Sequence, residues 1–313
     1  MIYVLTDLKR AHLIFNLLAH FIKGGIFFWY GLLTLGRYLG AFADFGWAWN
    51  VKPPRSMIGG FRAWVPSGEF TESFVIFLYG ITNVWLEHLG AWGGSWEAED
   101  FQHVSITILF AGGGLLGMLI DSRRIRELLH TYMFQLKDET YYSVVAGSDE
   151  ELPERWDERE GAATVPLNPM PALVILLLGI MMSSHTQHSM VSSMIHKQWG
   201  DLFAGFSAAR MATYAILYIK PYSSYLPSRP PTEIIAAFCL VSGGLMFMAS
   251  TWPIVNTLEI HGIGAMFVFT CMMGLTAGVM AWETFLLALK GWAERKENPV
   301  LVRRLQSEAR TAA

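Results

Sequence analysis

The chain has 313 residues, of which 53% are hydrophobic, 14% are aromatic and only 16% are charged. Soluble domains carry about 25% charged and about 45–50% apolar residues, so this composition predicts a membrane protein. The formal net charge of −3 gives no indication of a basic surface that would bind nucleic acid. The lipid bilayer is the partner that the composition indicates, and the sequence does not identify protein partners. Cys239 and Cys271 lie in apolar segments, where they predict packing residues rather than a disulfide framework.

Seven apolar segments come close to the roughly 20 residues that a spanning helix needs. They cover residues 13–39, 70–89, 101–120, 171–190, 195–219, 233–252 and 264–291. The sequence therefore predicts an all-α, polytopic bundle of about seven transmembrane helices. An alternative merges the fourth and fifth segments across the polar residues 183–198, which would invert the topology of everything downstream.

The polar segments divide the chain into a membrane domain and a tail. We predict one membrane domain over residues 1–292, with a cytosolic acidic loop at about 137–169 and a charged cytosolic tail over 293–313. Residues 122–136, at the start of the longest polar excursion, predict a helical extension or an interfacial helix. Pro171 suits the first turn of the fourth span.

Basic residues indicate the orientation, because lysine and arginine are concentrated in cytoplasmic loops. Most of the 23 lysines and arginines fall on the side of the bundle that holds the C-terminus. This asymmetry predicts an exoplasmic N-terminus, a cytosolic C-terminus and a location in the secretory pathway or the plasma membrane.

All but one of the nine histidines fall, in this topology, at the exoplasmic ends of the segments; the exception is His130. His185 and His188 are three residues apart and share a helix face. His103 and His196 begin the third and fifth spans. Imidazole is a common metal ligand and a proton carrier, so this belt of histidines is the strongest functional pattern in the sequence.

Three nitrogen ligands with an open position are typical of a catalytic zinc site. We therefore expect a transition metal, zinc first, held by His103, His185, His188 and His196. Glu87, Glu99 or Asp100 would orient a ligand or act on metal-bound water. A site of this kind would hydrolyse a lipid-like substrate or handle a metal, and the sequence leaves open whether the protein is an enzyme.

Two further features concern helix packing. Arg210 lies inside the fifth span and needs an acidic partner or backbone carbonyls, and Glu283 in the last span is one candidate partner. The glycines of the third and sixth spans predict close helix approach; they are Gly112, Gly113, Gly114, Gly117, Gly243 and Gly244.

From about His20 to the last span, the chain resembles the transmembrane-protein-45-like family and, more closely, fungal integral membrane proteins related to the yeast tetraspan protein family. The resemblance rests on three stretches: His20 with the Gly24-Gly25-Ile26-Phe27-Phe28 run, Gln102-His103 with the glycine-rich third span, and His185-Thr186 through His196-Lys197-Gln198. It implies a multi-pass fold and adds His20 to the expected ligands. The chain departs from the family at Gln102 and Glu283, where histidines are expected.

Two alternatives remain beside the zinc site. One is a non-catalytic membrane protein whose histidines line a polar vestibule. The other is a membrane redox protein that holds a haem between two histidines, as the distant resemblance to b-type cytochromes implies. Because the histidines lie on one side, they would hold at most one haem near one face of the bundle.

Overall fold

The structure is a computed structural model that describes residues 2–54, 56–58, 60–88, 96, 98–129, 167–184, 187 and 189–297. Within these ranges the α-helices are α1 (Ile2–Leu39), α2 (Gly68–His88), α3 (Ala98–Asp121), α4 (Arg123–Leu129), α5 (Met170–Ser183), α6 (Met190–Ile219), α7 (Thr232–Ala249), α8 (Trp252–Ile260) and α9 (Ala265–Glu297). Two short 3-10 helices, Ala43–Phe45 and Gly60–Trp64, lie between α1 and α2. The predicted all-α fold is confirmed for the described residues.

The seven predicted spans all coincide with helices, but the number that can cross a membrane is nearer five. Among the described residues, the helices long and apolar enough lie in α1, α3, α6, α7 and α9. At a rise of about 1.5 Å per residue, the 14 residues of α5 extend about 21 Å, less than the roughly 30 Å hydrocarbon core. The other predicted span outside this set is α2, which carries two acidic residues, Glu69 and Glu72, near its start. The protein is a polytopic helical membrane protein, and the prediction of seven spans was too high.

The polar stretch between the fourth and fifth predicted segments separates two helices. α6 begins at Met190, five residues before the predicted start, because Ser189 caps it: the Ser189 hydroxyl accepts a hydrogen bond from the Ser192 backbone N–H at 3.1 Å. The two segments are therefore separate helices rather than one continuous helix, although only α6 is long enough to span. Pro171 lies in the first turn of α5, as predicted.

The other boundaries differ from prediction at both ends of the described chain. α1 begins at Ile2 rather than near residue 13, and α9 continues to Glu297, past the predicted domain boundary at 292. α7 ends at Ala249, and an unpredicted short helix, α8, follows with Pro253 in its first turn. α4 accounts for part of the helical extension predicted over 122–136. Residues 137–166 and 298–313, which make up most of the acidic loop and the tail, lie outside the described residues.

The helices pack as neighbouring pairs around α6, whose aromatic residues form the core. α1 packs along α7, α2 along α3, and α6 along both α5 and α7. Trp199, Phe203 and Phe206 on α6 are fully buried. The ring of Phe203 lies 4.2 Å from that of Phe27, and the ring of Trp199 lies 4.5 Å from that of Phe247. These contacts join α6 to α1 and to the C-terminal part of α7.

Small residues allow two of these pairs to approach closely, which is the common way to pack helices in lipid. A Cβ on Gly114 of α3 would lie 2.4 Å from the Phe77 backbone nitrogen of α2, and one on Gly244 of α7 would lie 2.6 Å from the Gly24 oxygen of α1. The packing role predicted for these glycines is confirmed, as it is for Gly113, Gly117 and Gly243. It was wrong for Gly112, where a Cβ would meet open space.

Candidate functional site

A cluster of buried charges lies where α1 and α6 approach their C-terminal ends and α2 and α7 begin. It contains two guanidinium groups and three carboxylates, here called the charge network: Arg37 of α1, Glu69 and Glu72 of α2, Arg210 of α6 and Glu233 of α7. At most a tenth of any of these side chains is exposed. Charges at this depth are costly, so they are rare and mark functional sites by default.

Arg37 joins α1 to α2. One of its terminal nitrogens, Nη1, pairs with Glu72, and the other, Nη2, lies 3.1 Å from Glu69 Oε1. The remaining nitrogen, Nε, donates a hydrogen bond of 2.7 Å to the Trp47 carbonyl oxygen. All three guanidinium nitrogens are thus used, as the planar fork of arginine favours.

Arg210 joins α6 to both α2 and α7. Its Nη1 lies 3.2 Å from each carboxylate oxygen of Glu72, and its Nε lies 3.0 Å from Glu233 Oε1. Thr213, one helical turn after Arg210, donates a hydrogen bond of 2.7 Å to the same Glu233 oxygen. Glu72 therefore accepts from both arginines and links α1, α2 and α6.

The indole of Trp49 lies against both arginines. The Cζ atoms of Arg37 and Arg210 are 4.6 and 5.1 Å from its ring centroid, close enough for cation–π attraction. Trp49 has φ 53°, a left-handed conformation that is strained in a bulky residue and persists only where the surroundings hold it. The neighbouring Asn50 fixes the backbone here, because its side-chain amide donates hydrogen bonds of 2.9 Å to the carbonyl oxygens of Ala43 and Tyr225.

The segment around Trp49 closes the network on one side. The Val51 backbone N–H donates to the Ser224 carbonyl oxygen at 2.9 Å, which ties the α1–α2 connection to the α6–α7 connection. In the latter connection, burial raises the pKa of the Tyr222 phenol. The two connections together separate the charge network from the aqueous side at which α2 and α7 begin.

The carboxylates outnumber the guanidiniums by three to two. Counted over the described residues and with every group ionised, the network would carry one excess negative charge on side chains that are at most a tenth exposed. The second oxygen of Glu233, Oε2, is buried and has no hydrogen-bond partner within the described residues, and the same holds for Nε and Nη2 of Arg210. The excess charge and this oxygen make Glu233 the natural place for a proton or a small cation.

The acidic partner expected for Arg210 is present, but it is not Glu283. Arg210 pairs with Glu72 and Glu233. Glu283 is half-buried on α9 and lies beside Gly36 of α1, where its Oε1 would be 3.4 Å from a Cβ added to that glycine. The sequence did not indicate Glu72 as the partner, because it is 138 residues from Arg210 in the chain. It also lies in the first turns of a helix, where acidic side chains are ordinarily solvent-exposed.

The predicted histidine ligands are only partly placed. His20 is half-buried on α1, with its ring 5.4 Å from that of Phe247, and His196 is buried on α6, with its ring 5.8 Å from that of Trp199. His103 is exposed near the start of α3. His185 and His188 lie outside the described residues, and of Glu87 and Asp100 only the helical backbone of α2 and α3 is described.

Within the described ranges, no group of three or more histidine, cysteine, aspartate or glutamate side chains is arranged to hold a metal. Since two expected ligands and all three candidate supporting carboxylates, Glu87, Glu99 and Asp100, fall outside the side chains described, the zinc site stays a prediction. The described structure brings His20 and His196 to one end of the bundle through the contacting rings of Phe247 and Trp199.

Sequence reasoning missed most of the charge network. Arg37, Glu69 and Glu233 stand at predicted helix ends, where charged residues are common and carry little information. A usable signal was available: four segment ends on one side of the membrane carry charges inside the apolar boundary, and opposite charges at the same depth are expected to pair.

The fold and the buried network define a polytopic membrane protein built from a helical bundle. A family model described as "Protein YTP1-like, C-terminal" matches residues 1–291, and the chain belongs to that family. The predicted kinship with fungal integral membrane proteins is thereby confirmed. No solved structure matches the chain.

The chain is similar to three fungal proteins of greater length. An uncharacterized membrane protein of Schizosaccharomyces pombe is 42% identical over 295 residues, which cover 94% of this chain and 55% of the relative. An uncharacterized membrane protein of Saccharomyces cerevisiae is 41% identical over 289 residues, 89% of this chain and 43% of the relative. The protein YTP1 of Saccharomyces cerevisiae is 24% identical over 210 residues, 66% of this chain and 36% of the relative. This chain thus spans about half the length of the first two relatives or less.

Arg210→Met should strongly destabilise the protein, because it leaves three buried carboxylates facing one guanidinium. Removing one partner of a buried ion pair costs about 3–5 kcal/mol. The matched control is Lys197→Met on the same helix, whose ion pair with Asp201 is exposed and should contribute about 0–1 kcal/mol. Thermal unfolding of the detergent-solubilised variants, followed by tryptophan fluorescence, measures both. Equal losses of stability would show that the network does not hold the bundle together.

Proposed function

We propose that the charge network is the proton-binding centre of a membrane transport protein. The observation that carries the proposal is the unequal number of buried charges, two guanidiniums against three carboxylates, shared by four helices. Ionisable groups that face the interior of a membrane bundle commonly form ion pathways and proton relays. Membership of the family supports a multi-pass fold and says nothing further about activity.

A proton is the simplest way to balance the network. An uncompensated carboxylate in a low-dielectric interior is expensive, and the group takes up a proton rather than remain charged. Glu233 is fully buried and has an oxygen without a hydrogen-bond partner in the described structure. Its other oxygen contacts Arg210 and Thr213 from α6, and Thr213 is in turn hydrogen-bonded to Thr232. Arg37 of α1 and Glu72 of α2 are the other charged groups that act on this carboxylate.

Protonation of Glu233 would redistribute the pairing. Arg210 would lose its charged partner on α7 and would then pair with Glu72 alone. The electrostatic link between α6 and α7 would weaken, and the link between α6 and α2 would strengthen. One proton can in this way shift the relative stability of two helix pairings, which is what coupling between proton binding and a conformational change requires.

If Glu233 binds a proton, a carbonyl stretching band of a protonated carboxyl should appear in the infrared difference spectrum as the pH falls. The band should be missing in Glu233→Gln, which removes the acid and leaves two guanidiniums with two carboxylates. Attenuated-total-reflection spectra of the protein in lipid bilayers provide the measurement.

Asp201→Asn is the matched control, because Asp201 is an exposed carboxylate on α6 paired only with Lys197 in the described contacts. That variant should retain the band. A band that persists unchanged in Glu233→Gln would assign the proton to another group and remove the basis of the proposal. In proteoliposomes with an internal pH indicator, we expect a proton flux that Glu233→Gln abolishes and Asp201→Asn preserves.

A second candidate function is metal binding at the opposite end of the bundle. His20 and His196 both lie against the Trp199–Phe247 ring pair, which favours a common depth for the histidines. His196 Nδ1 lies 2.9 Å from the Ser192 carbonyl oxygen and must donate to it, so the lone pair of the ring is on Nε2. Metal-ligating histidines are usually oriented in this way. We propose zinc, with His103, His185 and His188 completing the set, and haem or an unoccupied polar vestibule as the alternatives.

Purified protein should then contain zinc in a fixed ratio to the chain, and His185→Ala combined with His188→Ala should remove it. Elemental analysis measures the ratio, and a Soret absorption band would instead identify haem. Well-folded protein that carries neither would eliminate both metal hypotheses and leave the polar vestibule.

We also propose that the end of the bundle holding the charge network faces the cytosol, since most lysines and arginines lie there. In sealed microsomal vesicles with the cytosolic face outward, Ser223→Cys should react with an impermeant maleimide, and Glu259→Cys should react only after detergent is added. Both residues are exposed, and the test uses a background in which Cys239 and Cys271 are alanine. The reverse pattern of labelling would invert the orientation.

A further inference from the structure

An apolar cavity separates α1 from α2 and ends at the charge network. Its volume is about 510 Å³, within the range of about 300–1,000 Å³ typical of small-molecule sites. α1 and α2 supply most of the lining, and Phe110 of α3 and Ile175 of α5 close the back. Ile26, Ile76 and Tyr79 are among the side chains along its length.

The polar groups of the cavity are gathered mainly at one end. Arg37, Glu72 and Trp47 line this end, next to the ion pair between Arg37 and Glu72. The rest of the lining is mostly aliphatic and aromatic, with Thr71 and Tyr30 as further polar residues. Lys23 also lines the cavity, well before Arg37 on α1 and so away from the ion pair. A cavity with a long apolar wall and one polar end matches an amphiphile, with its chain along the helices and its headgroup at the ion pair.

The open side of the cavity faces the membrane. Ile22, Trp29 and Val75 line it and are 56%, 69% and 44% exposed. In a bilayer these side chains contact lipid, so a molecule can enter laterally from the hydrocarbon region. The occupant is therefore a membrane-soluble molecule rather than a water-soluble metabolite.

The charges at the polar end select the headgroup. A phosphate or carboxylate would add negative charge beside a network that already has more carboxylates than guanidiniums. An ammonium headgroup would be repelled by the positive charge of the Arg37 guanidinium. A hydroxyl can donate to a carboxylate and accept from a guanidinium, and it brings no charge into a poorly hydrated site.

We propose that this cavity binds an uncharged, membrane-derived amphiphile through a hydroxyl headgroup placed at the Arg37–Glu72 pair. The preference for an uncharged headgroup uses the same excess of carboxylates as the proposed proton-binding function. The shape of the cavity, its lateral opening and the position of the ion pair do not depend on proton binding.

The test uses three long-chain probes that carry the same photoreactive diazirine and differ only in the headgroup: an alcohol, an amine and a carboxylic acid. Full-length protein in phosphatidylcholine nanodiscs is irradiated with each probe, and the labelled peptides are identified by mass spectrometry. We expect the alcohol to label α1 and α2 peptides that line the cavity about tenfold more than the acid or the amine does, and excess unlabelled alcohol to prevent this labelling.

The glycines of the chain provide a cavity-filling variant and its control. Gly25 lines the cavity and Gly112 does not, yet a Cβ on either helical glycine meets no heavy atom within 4 Å. Gly25→Trp should reduce cavity labelling by the alcohol about tenfold, whereas Gly112→Trp should leave it unchanged. Labelling of wild-type protein that is equal for the three headgroups, or that unlabelled alcohol does not prevent, would overturn the proposal even if Gly25→Trp failed to fold.

Discussion

The arrangement of the bundle depends on the paired salt bridges that the Glu72 carboxylate makes with two arginines. This carboxylate accepts from Arg37 of α1 and from Arg210 of α6, and it stands on a third helix, α2. A buried guanidinium without an acidic partner, or a buried carboxylate without a guanidinium, would cost a large free energy of desolvation. The pairing therefore requires that three helices meet at one height, which hydrophobic packing alone does not specify because lipid is as apolar as the helix surfaces.

Around this constraint, the two ends of the bundle have different chemistry. The end with the charge network is polar, sealed by the Trp49 segment and continuous with the apolar cavity. The opposite end is aromatic, with Trp199 and Phe247 in contact and two histidines beside them. Glycines allow α1 and α7 to approach closely between the two ends, at Gly31 and at the Gly24–Gly244 contact.

The sequence was sufficient for the architecture because apolar length and periodicity are local properties. It located a helix at each predicted span and anticipated that Gly114 would allow close helix approach, and the structure places this glycine against Phe77 of α2. It overestimated the number of spans, since α5 ends at Ser183, where a polar stretch leads to a capped helix start. Arg210 was correctly expected to need an acid, but choosing Glu72 over Glu283 requires the helix arrangement, which no local pattern encodes. The histidine ligands stay a prediction because His185 and His188 lie outside the described residues.

The close contact between α2 and α3 makes these helices a single mechanical unit. With Gly80 against Ala111 and Gly114 against Phe77, the backbones touch, and neither helix can slide without the other. The cavity lies on the opposite flank of α2, where α1 stands apart. A displacement of α2 that widens the cavity would therefore carry α3 with it, and it would pull against the salt bridges that Glu69 and Glu72 make near the start of α2.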